Sequence, residues 1–141
     1  MATELSVHAV QKGPMEFAIT DGEHAVTIDY PLPGGDGPIA GMTPLRLLLA
    51  SLAGCGGSSV AALLRRDGQP VTGIEVTAHG ERREEHPTVI TAIDLGFVVR
   101  GDVDPARVKH ALAVSEAQIC PVWAMLRTGT PITSSFSVVA D

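Results

Sequence analysis

The sequence predicts an α+β protein, on three observations. Apolar residues alternate with period two in the first third, again between residues 74 and 99, and once more near the C-terminus. The 18 residues from Leu47 to Leu64 carry no charge and read as a long helix. Two further helices start at prolines before the last strand, so strands and helices come in blocks without the alternation of a parallel βαβ sheet.

In the first third, Met15, Phe17 and Ile19 alternate with polar or small neighbours, as do Val26, Ile28 and Tyr30. Asp21-Gly22 between them is a hairpin signal, and ELSVHAV before them reads as an edge strand. Residues 31 to 41, PLPGGDGPIAG, hold three Pro and four Gly and read as a loop. Thr43-Pro44 then places an N-cap and a first-turn proline at the start of the long helix, which is expected to run to Leu64. That helix is apolar around nearly its whole circumference. It is therefore expected to be wholly buried, and since a chain of 141 residues has little to surround it with, to be covered by a second copy in an obligate dimer.

Asp67-Gly68 ends the helix. Ile74, Val76 and Ala78 form one alternating set, and Val89, Thr91, Ile93, Leu95, Phe97 and Val99 another, with the charged ERREEHP (81 to 87) as the solvated end of their hairpin. Asp104-Pro105 starts a helix with Val108, Ala111, Leu112 and Ser115 on one face. Cys120-Pro121 starts a short one through Arg127, stopped by Gly129 and Pro131. Ile132, Ser134, Phe136 and Val138 alternate as the closing strand. By length, residues 1–141 are expected to form a single domain.

Composition narrows the function. Hydrophobic residues make up 45% of the chain, enough for a core. The net charge is −6 and the ten Lys and Arg are scattered, so no basic stripe is offered to nucleic acid or an anionic membrane. The uncharged helix contains three Gly and three Ser and has no aromatic belt, so a buried helix is the better account of it than a membrane span. MATELSVHAVQKG lacks the pattern of a signal peptide, and a cytoplasmic location is expected. His8, His24, His79, His86 and His110 are spread out with no HxxxH or CxxC spacing, so neither a metal nor another cofactor is expected.

The chemistry then falls to two cysteines. In AGCGGSS, Cys55 is flanked by Gly54, Gly56 and Gly57, each costing about 1 kcal/mol in a helix interior. Two readings stand side by side: tight packing of the helix against a neighbour, or close packing that also serves a reactive thiol. Ser51, Ser58 and Ser59 share the face of Cys55 at helical spacing. Cys120 precedes Pro121 at the N-cap of the short helix, where free N–H groups and the helix dipole are expected to lower a thiol pKa. The two lie 65 positions apart, so only the fold can bring them together.

MTPLRLLLASLAGCGGSSV followed by SEAQICPVWAML resembles the OsmC/Ohr family, named for osmotically inducible protein C and organic hydroperoxide resistance protein. QPVTGIEV, ERREEHP, RGDVDPARV and PITSSF are similar to its YhfA-like branch. The resemblance implies an intertwined homodimer with an antiparallel sheet wrapped around a long central helix. It implies a cysteine-based peroxidase that reduces organic hydroperoxides and is reset by a dithiol reductant. Cys55 would be the attacking thiol and Cys120 the resolving one, with Ser51, Ser59 and Met125 as candidate substrate-binding residues. Family peroxidases also use an arginine from the N-terminal strands and a glutamate just after the helix-starting proline. Here no arginine precedes Arg46, and Leu45 follows Pro44; Glu16 and Arg127 are the charged residues that could approach the thiols instead. Because a buried thiol without a positive partner stays protonated, the alternative is a non-enzymatic dimer that binds a small apolar ligand or senses oxidants beside Cys55.

Overall fold

The computed structural model describes residues 3–35 and 37–141, and these fall into two compact units, Met1–Leu48 and Leu49–Asp141. Asp36, in the Pro/Gly-rich loop, lies outside the described residues.

The N-terminal unit holds an antiparallel sheet in the order β1 (His8–Gln11), β2 (Phe17–Thr20), β3 (Ala25–Ile28). The expected edge strand is β1, shifted toward the C-terminal end of ELSVHAV. The β2–β3 turn is built as the sequence suggested. Gly22 takes a positive φ of 106°, and the Asp21 carboxylate accepts the N–H groups of Glu23 (2.9 Å) and His24 (2.7 Å), which hold its pKa below the usual carboxylate range. Across the loop, Asp29 Oδ2 accepts Ala40 N–H at 2.9 Å, and Gly41 runs so close to β3 that a Cβ there would collide with the Thr27 carbonyl oxygen.

Helix α1 runs from Pro44 to Arg66, two residues past the expected end. Its stop is a Schellman-type turn in which Gly68 (φ 70°) donates to Arg65 O and Gln69 to Leu64 O, both at 3.0 Å. In the C-terminal unit β4 (Val71–Arg82) and β5 (Ile90–Gly101) form the long antiparallel hairpin, with Val76 opposite Phe97 and Ala78 opposite Leu95. Residues 81–87 at its tip are exposed, as a solvated turn should be. Helix α2 (Pro105–Val114) is capped by Asp104, whose Oδ1 accepts Ala106 N–H at 2.9 Å. A π-turn, Ser115–Ile119, and the short helix α3 (Pro121–Leu126) lead to β6 (Ile132–Val139).

One expectation needs correction. Strand β6 pairs with β5 in parallel, so the sheet β4-β5-β6 is mixed where an antiparallel one was expected. The 30 residues between these strands, with α2 and α3, are long enough for the crossover a parallel pair needs. Within the single chain, α1 is covered on one side. Leu52, Gly56, Ser59, Val60, Leu63 and Leu64 form its buried face, while Ser51, Gly54, Ser58, Ala61 and Ala62 form an exposed stripe on the other side. One sheet covers one side of a helix, and the C-terminal unit has only one. By length and apolarity alone α1 could cross a membrane. Its buried residues join a core with Ile93, Leu95, Phe97 and Val99 of β5, Val108, Ala111 and Leu112 of α2, and Trp123 of α3.

Candidate functional site

The site grows from the edge between the two faces of α1. Cys55 sits there, half-buried, one turn before Ser59. From the other direction the chain delivers Cys120 by way of α2 and the π-turn, whose closing hydrogen bond runs from Cys120 N–H to Ser115 O at 2.9 Å. Pro121 at the first helical position fixes Cys120 in an extended conformation (φ −74°, ψ 107°) as the N-cap of α3. The two cysteines, 65 residues apart in sequence, meet with Sγ atoms 2.7 Å apart, and both are free thiols.

Their environments differ. Cys120 is 1% exposed and caps α3 as anticipated, its sulfur accepting Trp123 N–H at 3.4 Å. The expected lowering of its pKa is overturned. Burial pushes the thiol up from 9.0 to about 11, helped by its hydrogen bond to Cys55, against the smaller opposing pull of the Trp123 N–H. The helix terminus contributes what was anticipated of it, and desolvation outweighs it. Cys120 therefore keeps its proton and donates it toward Cys55.

The three glycines beside Cys55 divide the work. A Cβ on Gly57 would lie 3.1 Å from Val76 Cγ2 of β4, so this position lets the sheet approach the helix. One on Gly56 would touch Phe97 Cζ at 3.4 Å and Trp123 Cε3 at 4.0 Å, so the segment that carries Cys120 does come near. Gly54 meets nothing within 4 Å and faces the open stripe. A groove of about 420 Å³ runs along Ala53, Gly54, Gly57, Ser58, Ile74 and Val76.

The candidate substrate residues separate. Ser51 is exposed and lies one turn before Cys55. Met125, on α3, is 74% exposed. Ser59 points inward: its hydroxyl donates to Gly56 O at 3.1 Å and pairs with the hydroxyl of Ser115. Sequence reasoning misses both Ser115, fully buried, and Trp123 as parts of the site. The signal for Ser115 is a hydroxyl that continues the apolar face of α2 just past its last residue. That for Trp123 is the only tryptophan of the chain, three residues after Cys120. The Trp123 indole Nε1 has no hydrogen-bond partner among the described residues. Arg127, just after α3, is exposed, and among the described residues neither it nor any other arginine or lysine donates to either sulfur. Among the described residues no cluster of His, Cys, Asp and Glu could hold a metal ion.

A long helix with one cysteine, laid on a sheet and met by a second cysteine at a proline-started helix, defines a paired-thiol α+β class of protein. Residues 34–135 match the family model of OsmC-like protein, and the chain belongs to that family. It is 37% identical over 99 residues to Protein YhfA of Escherichia coli, a match that spans 70% of this chain and 74% of that one. A hypothetical protein from Aquifex aeolicus superposes with a TM-score of 0.89 at 25% identity over 99% of both chains. The organic hydroperoxide resistance protein OsmC from Legionella pneumophila superposes with a TM-score of 0.72 at 16% identity, over 97% of this chain and 98% of that one.

Proposed function

We propose that the protein is a thiol-dependent reductase of organic hydroperoxides that works as a cytoplasmic homodimer. The observation that carries this reading is the sulfur pair: a reachable Cys55 whose Sγ lies 2.7 Å from the buried Cys120 Sγ. Burial pushes the Cys120 thiol up to about 11 and closes it off from solvent, which favours the half-buried Cys55 as the attacking thiol of the pair. Its thiolate attacks the outer peroxide oxygen, the O–O bond breaks, and the alkoxide takes a proton and leaves as an alcohol. Cys55 is left as a sulfenic acid. The Cys120 sulfur then attacks the Cys55 sulfur, water departs, and a disulfide remains. A dithiol reductant resets it by exchange, its own two thiols becoming a disulfide. The name of the Legionella pneumophila relative and the family resemblance support the substrate class. Only two cysteines in 141 residues fit a reducing compartment.

The homodimer is supported by the exposed small-residue stripe of α1. It is supported again by the N-terminal unit, in which no described residue is buried. Stopped-flow oxidation by cumene hydroperoxide, followed by Trp123 fluorescence, tests the reading. Turnover far above that of a free thiol and lost in Cys55→Ser is expected. A rate no faster than a free thiol, or one unchanged in Cys55→Ser, overturns it.

A second reading has one observation in its favour. With no cation donating to either sulfur among the described residues and Cys120 held protonated, the pair can also act as a slow oxidant sensor beside an apolar groove. Slow, stoichiometric oxidation without turnover in the same experiment is its signature.

A further inference from the structure

We infer that Ser59 and Ser115 are positioning residues whose buried hydroxyl pair holds Cys120 against Cys55 and so sets how readily the two thiols join. The inference rests on the reading of Cys55 and Cys120 as a redox pair, and it concerns residues whose side chains hydrogen-bond to neither sulfur.

Proton counting sets the direction of these hydrogen bonds. Ser59 Oγ donates its one proton to the carbonyl of Gly56 at 3.1 Å, so in the contact between the two hydroxyls Ser115 is the donor and Ser59 the acceptor. The result is a directed chain from Ser115 O–H to Ser59 O–H to Gly56 C=O, ending on the residue next to Cys55. Ser59 is 7% exposed and Ser115 0%, so without Ser59 the Ser115 hydroxyl would be left unsatisfied in the core, and the arrangement is sharply fixed.

Both ends of this chain are tied to a cysteine. Ser59 lies one helical turn after Cys55 on α1. Ser115 opens the π-turn, and its carbonyl accepts the Cys120 N–H at 2.9 Å. A π-turn holds one residue more than an α-turn, so it rotates the next segment by about 100° around the helix relative to an unbroken α2. Only with Ser115 anchored to α1 does that widened turn place Cys120 on Cys55. The hydroxyl pair thus works as a brace between the two segments, and it confers effective concentration on the thiols, as a fixed geometry does for any intramolecular reaction.

Equilibration with glutathione tests this without peroxide. One oxidised glutathione takes two electrons and two protons from the dithiol protein, giving the Cys55–Cys120 disulfide and two reduced glutathiones, and Trp123 fluorescence reads the ratio. The variant is Ser59→Ala/Ser115→Ala, which removes both hydroxyls together and leaves neither unsatisfied. Its oxidation constant should fall about tenfold, or about 30 mV. Val108→Ala, in the same core on α2, is the control, expected to lose stability while its constant stays within about twofold, since it removes no hydrogen bond between α1 and the π-turn. An unchanged constant in the double variant, or an equal fall in Val108→Ala, overturns the brace. Failure of the wild-type protein to form the disulfide overturns the redox pair itself and the brace with it.

Discussion

Two regions of the chain carry the same alternating apolar pattern and use it differently. In Leu49–Asp141 the alternation becomes a core: Ile93, Leu95, Phe97 and Val99 on β5 are buried under α1, α2 and Trp123. In Met1–Leu48 no described residue is buried, and Met15, Val26 and Tyr30 remain 42%, 45% and 42% exposed. The strands explain the contrast. β4 and β5 have 12 residues each and a helix laid over them, whereas β1, β2 and β3 have four each. A short sheet without a second layer has nothing to bury its apolar face against. Alternation thus tells which face seeks cover, and the layer above decides whether the chain supplies it.

The sharpest way to break this comparison is to cut one side chain from each region. Phe97→Ala, in the C-terminal core against Gly56, should cost about 3–5 kcal/mol in urea unfolding. Val26→Ala on β3 should cost less than about 0.5 kcal/mol if that face is open. A much larger cost at Val26 that grows with protein concentration would mean that another copy covers the N-terminal sheet. The difference between the regions would then belong to the single chain and vanish in the assembly.

A smaller effect concerns how thoroughly the C-terminal core excludes water, and Cys120 reports it. Below pH 9.0 the thiol keeps its proton in both the folded and the unfolded chain, so its contribution to stability is fully present. Between pH 9.0 and about 11 the unfolded chain ionises and the folded one does not, so stability falls as pH rises, and beyond that no more is lost. Urea midpoints measured under reduction from pH 8 to 11 should show this extra fall in the wild type and not in Cys120→Ser. Parallel curves for the two proteins would show that Cys120 is not desolvated as the buried position implies.

Most of the fold was legible because its punctuation is local. Thr43-Pro44, Asp104-Pro105 and Cys120-Pro121 each start a helix, and Asp21-Gly22 and Gly68 each make the expected turn. The illegible parts depend on long-range partners. The parallel docking of β6 on β5 follows from the crossover, and alternation looks the same in either direction. The π-turn has no residue signature, since it differs from an α-turn by one unit of register. At the site, the meeting of Cys55 and Cys120 followed from the resemblance. The pKa of Cys120 did not follow from its cap position, because burial is a property of the assembled core and outweighs the N–H groups. Ser59 shares a face with Cys55, yet its hydroxyl turns inward to Gly56 O and to Ser115, 56 residues further along the chain.

A single added methyl group decides most about the open side of α1. Gly54→Ala adds a methyl group that meets nothing within 4 Å in the single chain, so helix propensity alone should act, stabilising by about 1 kcal/mol. Gly57 is the internal reference, because its Cβ would sit 3.1 Å from Val76 and force the sheet to give way. If a second copy packs against Ser51, Gly54, Ser58 and Ala61, the Gly54 methyl falls in that interface, and the sign reverses. The variant would then lower the thermal midpoint and shift sedimentation toward the monomer, while a stabilised variant of unchanged mass would leave that stripe facing solvent. A glycine that looks wasted inside one chain is explained only when a close neighbour is found for it, and for Gly54 the chain itself offers none.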